Sequence, residues 1–289
     1  MRVQIPPRAR KLFKKKLKMC FLKSYMVEIF ENLRREIEKT QVIILAGGSA
    51  KRMGKIDKPK ALLELKEGWT FLDNEIDFFA RCGFKKFTLV LGHMHEQIEE
   101  HIEKMGYNKR FNVEISVDPT TENWGKGKAL KYAIQQGKIK RERFIVSFPD
   151  DLKFDNSLPL KLMLQHLTYV SKYNSLGTIT LVNGIEFPFG VARLNGEGRV
   201  ISFIEKPLVD TLTSIGLYAF EKDVLELIND KIDLTAPRAI EFEDIVIPHL
   251  ASQGKLYSLV VPPDVWLPVN DIKSYEKAVK LFTSIRSSV

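Results

Sequence analysis

Five cations crowd one short stretch of the chain. Lys51, Arg52, Lys55, Lys58 and Lys60 follow the small residues Ala46-Gly47-Gly48-Ser49, which themselves follow Val42, Ile43, Ile44 and Leu45. The four apolar residues are β-formers and predict a buried strand. Small residues after it let backbone N–H groups approach an anionic ligand closely. A strand, a glycine turn and spaced positive charge describe a site for a polyphosphate. Two familiar phosphate loops are excluded by spelling. At Gly54-Lys55, Ser49 stands where a Walker A loop needs its first glycine, and Ile56 stands where it needs Ser or Thr. The dinucleotide fingerprint fails because Ala50 lies two places after Gly48. A second chemistry-bearing point is Asp150, next to Asp151 after the predicted strand 144–148. A carboxylate at a strand end suits Mg²⁺, a hard cation that takes one or two carboxylates plus phosphate oxygens and water.

Leu45-Ala46-Gly47-Gly48, Arg52-Met53 and Lys58-Pro59-Lys60-Ala61-Leu62-Leu63 resemble the signature of the sugar-phosphate nucleotidyltransferases, L-A-G-G-x-G-x-R-M/L followed by K-P-K-x-L-L. Ala50 departs from it, where the family usually carries a third glycine. Further elements follow in the family's order, so that the resemblance runs from Gln41 to Ile285. It implies a Rossmann-like nucleotidyltransferase fold and the reaction of an NTP with a sugar 1-phosphate to give an NDP-sugar and pyrophosphate, with Mg²⁺ as cofactor. By that resemblance Leu45, Ala46, Gly47, Gly48, Gly125 and Gly127 hold the nucleotide. Arg52 stabilises charge on the departing pyrophosphate, and Lys60 holds the reacting phosphates. Asp150 carries the metal, with Pro149 replacing the family's glycine before it.

The second metal ligand in this family comes from a late segment, W-x-D-x-G or V-N-x. In Trp266-Leu267-Pro268-Val269-Asn270-Asp271 the first pattern would put Pro268 at the acidic position, so the second nominates Asn270. Asp271 stands in reserve and equally suits an N-cap for the last helix. Phe189-Gly190-Val191 resembles the family's Y-G-V strand, and Phe203-Ile204-Glu205-Lys206-Pro207 its F-x-E-K-P element. Gly190 then lets a sugar lie against backbone, Glu205 accepts sugar hydroxyls, Lys206 grips the 1-phosphate, and Gly216 opens room. Lys126 and Gly127 replace Thr and Ala of the family's G-T-A-x-A-L. Trp124 either stacks on a base or caps a helix start.

The elements that must position these residues read as α/β. Strands are predicted over 87–91, 113–117 and 144–148, and helices over 70–81, 95–105, 126–136 and 158–173. That alternation implies a parallel sheet with helices on both faces, whose ligands sit beyond the carboxyl ends of the strands. Beyond residue 173 the chain becomes rich in hairpins, with strands over 177–182, 189–194, 200–205 and 214–220. Helices over 222–228 and 242–253, a strand over 256–261 and a helix over 272–285 complete it. His93 and His95 lack carboxylates or cysteines at ligand spacing and read as loop residues.

The 289 residues divide into a basic, helix-prone extension, 1–40, and a catalytic domain, 41–289. Nine of the 45 Lys+Arg fall in residues 1–26, which hold no acid, leaving 36 bases against 36 acids over the rest. The net charge of +9 therefore belongs to the tail. Three readings of that tail stay open: a non-native extension with Met26 as the working start, a basic arm for anionic membrane or nucleic acid, or a helix on its own domain or a second subunit. In its second half Ile29, Phe30, Leu33 and Ile37 recur at helical spacing. Two cysteines, Cys20 and Cys82, are too few for a disulfide framework or a thiolate zinc site. No apolar run reaches the ~18–20 residues of a membrane span, and a cytosolic enzyme, free or homo-oligomeric, is expected. Two other functions remain open: the same fold acting on a non-sugar phosphate acceptor, and a catalytically silent regulatory subunit that binds NDP-sugar.

Overall fold

The computed structural model describes residues 26–48, 57–120 and 122–286. The basic tail 1–25, Arg52 and its neighbouring cations Lys51 and Lys55 lie outside the described residues. In chain order, helix α1 (26–39) leads into strand β1 (Gln41–Leu45). A small hairpin, β2 (Glu64–Lys66) and β3 (Trp69–Thr70), precedes helix α2 (Phe71–Ala80). Then come β4 (Lys86–Leu91), α3 (His95–Lys104), the short α4 (Tyr107–Arg110), β5 (Asn112–Val117), α5 (Gly125–Gln135), β6 (Arg143–Ser147) and β7 (Asp151–Lys153). The second half holds α6 (Leu158–Tyr173), β8 (Gly177–Glu186), β9 (Val191–Leu194), β10 (Val200–Ile204) and β11 (Leu208–Glu221). It ends with α7 (Asp223–Lys231), α8 (Phe242–Ser252), β12 (Leu256–Val261), β13 (Trp266–Pro268) and α9 (Ile272–Arg286).

Seven strands make the central sheet in the order β12-β8-β11-β6-β1-β4-β5. All pairings are parallel except those of β11 with β6 and β8. Successive strand residues face opposite ways, and β1 uses that alternation to serve two cores. Val42 and Ile44 pack with Leu72, Ile76, Phe79 and Ile98, while Ile43 and Leu45 pack with Leu130, Val224 and Val246. Both faces are therefore covered by helices, which is why the parallel strands read as unbroken apolar runs. In the N-terminal helix, Leu33 and Ile37 join the first core, but Phe30 is 61% exposed, so the predicted stripe holds only in its last two turns.

Three features differ from the sequence expectation. Residues 151–153, to which the sequence assigns no element, form β7 and pair antiparallel with β13. β8 and β11 run well past their predicted ends and stay paired out to Leu208 with Glu186. Beyond them β9 and β10 form a separate two-stranded sheet. No helix among the described residues is long and apolar enough to cross a membrane.

Candidate active site

A cavity of about 610 Å³ opens where β1, β4, β5 and β6 reach their C-terminal ends. Leu45, Ala46, Gly47 and Gly48 form one wall. Ala46 N donates to Val90 O (2.9 Å), so the chain leaves β1 still bound to β4. It then crosses Gly92 so closely that a Cβ on Gly92 would stand 2.9 Å from Gly47 O. Only two glycines in contact permit that crossing.

Lys60 and Asp150 meet in the same cavity, with Lys60 Nζ donating to Asp150 Oδ2 at 2.5 Å. Lys60 follows Pro59 in a short turn, and Asp150 ends the segment after β6, 90 residues on. The unforeseen β7–β13 pairing brings in the late segment. Pro268 lies opposite Asp151, Val269 N donates to Asp150 O (3.1 Å), and Asn270 thereby reaches the cavity wall. Asp271 instead accepts from Ser274 N (2.7 Å) and Ser274 Oγ (2.7 Å), the bonding of an N-cap on α9. Asp151 is committed to Trp266, whose Nε1 donates to it at 3.0 Å. Burial, and then the Asp150 charge, push Asp151 up to about 6. Gly216 also lines the cavity; its φ of +70° and a gap of only 2.5 Å between a built Cβ and the Phe148 ring both exclude a side chain.

Not every nominated residue converges there. Gly125 lines the cavity, but Gly127 does not: its N donates to Ile240 O (2.8 Å), and a Cβ on it would press on that oxygen. Its glycine serves packing of the 240–242 segment on α5. Gly190, Glu205 and Lys206 sit at the base of the β9–β10 hairpin and are not among the cavity-lining residues. Glu205 and Phe203 lie over Gly190, as expected if the two motifs form one unit. Trp124 lines the cavity as the residue before α5, edge-on to Tyr132 at 5.9 Å.

Sequence reasoning missed three acidic residues on the cavity wall. Asp118, the residue after β5, lies against the Gly47–Gly92 crossing, with Oδ2 3.5 Å from a Cβ built on either. Burial raises its pKa to about 7, and the nearby Trp124 indole holds it back. The two fall short of hydrogen-bond geometry, so Asp118 Oδ1 and Trp124 Nε1 are both buried without a partner. Its place directly after a predicted parallel strand was the one available signal. At the other end stand Glu241 and Glu243, brought in by the 240–242 segment that packs on Gly125 and Gly127. Lys126 Nζ pairs with Glu243 (2.6 Å) and Glu241 (3.4 Å) and lies 5.0 Å from the Phe148 ring centre. Burial pushes Glu243 up despite Lys126, and its Oε2 is unpartnered.

Beneath the cavity floor lies a closed ion pair. Lys153 Nζ donates to both oxygens of Glu75 (2.9 and 3.0 Å), to Ser147 Oγ (3.0 Å) and to Phe148 O (2.8 Å). Each side chain of the pair is 1% exposed. The bond to Phe148 O fixes the turn that presents Asp150.

A mostly parallel sheet with helices on both faces, a glycine crossing at its strand ends and a polar cavity above it define the class: an α/β protein with its ligand site at the carboxyl edge. Comparison with known proteins narrows this. The Nucleotidyl transferase family profile matches residues 41–284, and the chain belongs to that family. It is 25% identical over 229 residues to the Arabidopsis thaliana protein named Probable mannose-1-phosphate guanylyltransferase 3, covering 78% of this chain and 64% of that one. The chain thus spans somewhat less than two thirds of that relative's length. Among solved structures, a Bacillus anthracis protein assigned as a glucose-1-phosphate thymidylyltransferase, in complex with sucrose, superposes with a TM-score of 0.63 at 20% identity (84% of this chain, 95% of that one). HddC from Yersinia pseudotuberculosis, complexed with GMP-PN, gives 0.58 at 22% identity (84% and 99%). These two likenesses establish the fold.

Proposed function

We propose that the chain transfers a nucleoside monophosphate from an NTP to a sugar 1-phosphate, releasing pyrophosphate. One observation carries the reading: the glycine wall, Lys60 with Asp150, and Asn270 come from four distant parts of the chain into one cavity. The sugar phosphate oxygen attacks the α-phosphorus in line; the new O–P bond forms as the bond to the β-phosphate bridging oxygen breaks. Little covalent work falls to the protein, so placement and charge neutralisation supply most of the acceleration. Backbone N–H groups at Gly47 and Gly48 receive the phosphates. Lys60 exchanges part of its contact with Asp150 for phosphate oxygen, and Arg52, which lies outside the described residues, adds a planar donor.

Asp150 and Asn270 supply hard oxygen donors on one wall, a set that fits Mg²⁺. Among the described residues no group of three or more His, Cys, Asp or Glu could hold a metal ion. Mg²⁺ keeps several waters and takes phosphate oxygens beside one or two protein donors. Asp150 and Asn270 would hold the Mg²⁺, which when bound would supply charge neutralisation at the phosphates.

The base we assign is guanine. Asp118 offers a buried carboxylate with an unused oxygen beside the glycine crossing. Guanine presents two adjacent donors, N1–H and the 2-amino group, which a carboxylate accepts as a pair. Uracil, thymine, cytosine and adenine each set an acceptor beside the donor on that edge and leave the carboxylate opposed. The guanylyltransferase name of the Arabidopsis relative agrees with this. Pyrophosphate release measured across four NTPs, each crossed with a panel of sugar 1-phosphates, tests the proposal. Turnover led by GTP supports it; equal turnover with all NTPs removes the Asp118 assignment.

A further inference from the structure

Lys126 replaces the threonine of the family's G-T-A-x-A-L, and the reaction proposed above leaves it without a task. Its ammonium lies at the cavity wall between Glu243 Oε1 (2.6 Å) and Glu241 Oε2 (3.4 Å), 5.0 Å from the Phe148 ring centre. The Lys126 backbone N–H donates to the same Glu241 oxygen at 3.2 Å. Glu241 spends only Oε2 on these bonds, with its side chain 38% exposed at the wall, and Glu243 Oε2 is buried without a donor. Two acceptors flanking one ammonium match a vicinal diol, whose hydroxyls donate outward and can accept between. The order of the sheet says which ligand meets them. Asp118 follows β5 at one edge, Asp150 follows β6 in the middle, and Gly216 and Tyr218 belong to β11 beyond it. Phe242, between the two glutamates, packs edge-on against Tyr218 with ring centroids 5.3 Å apart. A nucleotide with its base at Asp118 and its phosphates at Asp150 therefore leaves the β11 side of the cavity to the second substrate.

We propose, resting on that reaction, that Glu241, Glu243 and Lys126 read the sugar's hydroxyls, admitting sugars uncharged apart from their 1-phosphate and rejecting sugar acids. Charge decides the choice. Two carboxylates against one ammonium leave the cluster with a formal charge of −1. The hydroxyls of a neutral sugar donate to the oxygens that Lys126 does not use. A uronate carboxylate brings a like charge and no donor. Lys126 is not free to serve it, since both of its side-chain contacts are already carboxylates. Threonine at position 126 would leave the two glutamates facing the cavity without a cation, which accounts for the lysine there. Glu205 and Lys206 are not among the cavity-lining residues, and Asp151 is committed to Trp266. The acceptors on the β11 side of the cavity are accordingly Glu241 and Glu243.

Pyrophosphate release from the preferred NTP tests the inference, with glucose, galactose and mannose 1-phosphates each set against its C6 acid. Each pair differs only in a hydroxymethyl group against a carboxylate. The neutral member should lead by about 100-fold in kcat/KM, the size of one like-charge contact. In the double variant Glu241→Gln/Glu243→Gln the ammonium loses its counter-charges and becomes a partner for the acid. The margin should then shrink roughly tenfold or more, and KM for the neutral sugar 1-phosphate should rise while KM for the NTP stays unchanged. The margin is a ratio of two substrates on one protein sample, so partial loss of folded enzyme does not move it. Equal use of acid and neutral sugar by the wild type overturns the inference. So does a margin that the double variant keeps, since the cluster would then only tether residues 240–243 to α5. If no sugar 1-phosphate turns over with any NTP, the proposed function fails and this inference fails with it.

Discussion

Asp150 and Lys60 form the charged centre of the cavity, and their roles differ in what replacement should do. Asp150→Asn keeps shape and removes charge, leaving Lys60 without its anion at 2.5 Å. Turnover should be lost while the circular dichroism spectrum is retained; near-normal turnover would remove Asp150 from the metal site. Lys60→Met removes one preorganised donor and should lower kcat by about 10²–10³-fold, measured by initial rates at saturating substrate. Asp118 makes a prediction of another kind. Asp118→Asn should lower kcat/KM for GTP about 10- to 100-fold, the value of a hydrogen bond to a charged group, and narrow the margin over other NTPs.

The same substitution should change stability with pH. Folding raises the Asp118 pKa from 3.8 to about 7, so the folded chain holds that proton more tightly than the unfolded one. The resulting penalty is absent below pH 3.8, grows between 3.8 and 7, and is complete above. Asp118→Asn should therefore raise the melting temperature clearly at pH 8, less at pH 5 and hardly at all at pH 4. Asp150 and Lys60 were legible in the sequence because each lies in a multi-residue motif. Asp118 had only its place after a predicted strand to mark it, and one acid among 36 does not stand out by that alone until the fold shows what surrounds it.

At the scale of elements, the pairing of β7 with β13 joins Asp150 to Asn270 and decides that Asn270, not Asp271, faces the cavity. Neither strand was legible: three residues show no period, and the two strands begin 115 positions apart, at Asp151 and Trp266. The choice between Asn270 and Asp271 was open in sequence for the same reason, since both fit a residue pattern and only pairing sets direction. The long helices were legible to within a residue or two because their apolar periodicity and caps agree, as in α2 with its Thr70–Asp73 capping box. The floor of the site depends on Glu75 and Lys153, from α2 and β7. Glu75→Ala leaves the Lys153 ammonium buried without its anion and should cost about 3–5 kcal/mol, read by urea unfolding. Lys153→Met alone should cost similarly, and the double variant less than the sum, because each single change strands a charge.

Across the whole molecule, the carboxyl edge of the sheet gathers the glycine crossing, Asp118 and the Asp150 turn at one mouth, while the hairpin stands apart from it. The fold class was legible because parallel strands buried on both faces read as apolar runs, and β1 is wholly buried. The placement of the hairpin was not, because its sequence resembles other strands and only the structure shows both of its faces open. The proposed function requires that one cavity hold NTP and sugar 1-phosphate for transfer of the nucleotide between them. GTP labelled at the α-phosphorus, incubated with Mg²⁺ and mannose 1-phosphate, tests it most directly. The label should move into a sugar nucleotide with one pyrophosphate released per transfer, and Asp150→Asn should abolish that movement. Label that stays in GTP, or appears only as GMP, with every NTP and sugar 1-phosphate tried would contradict it.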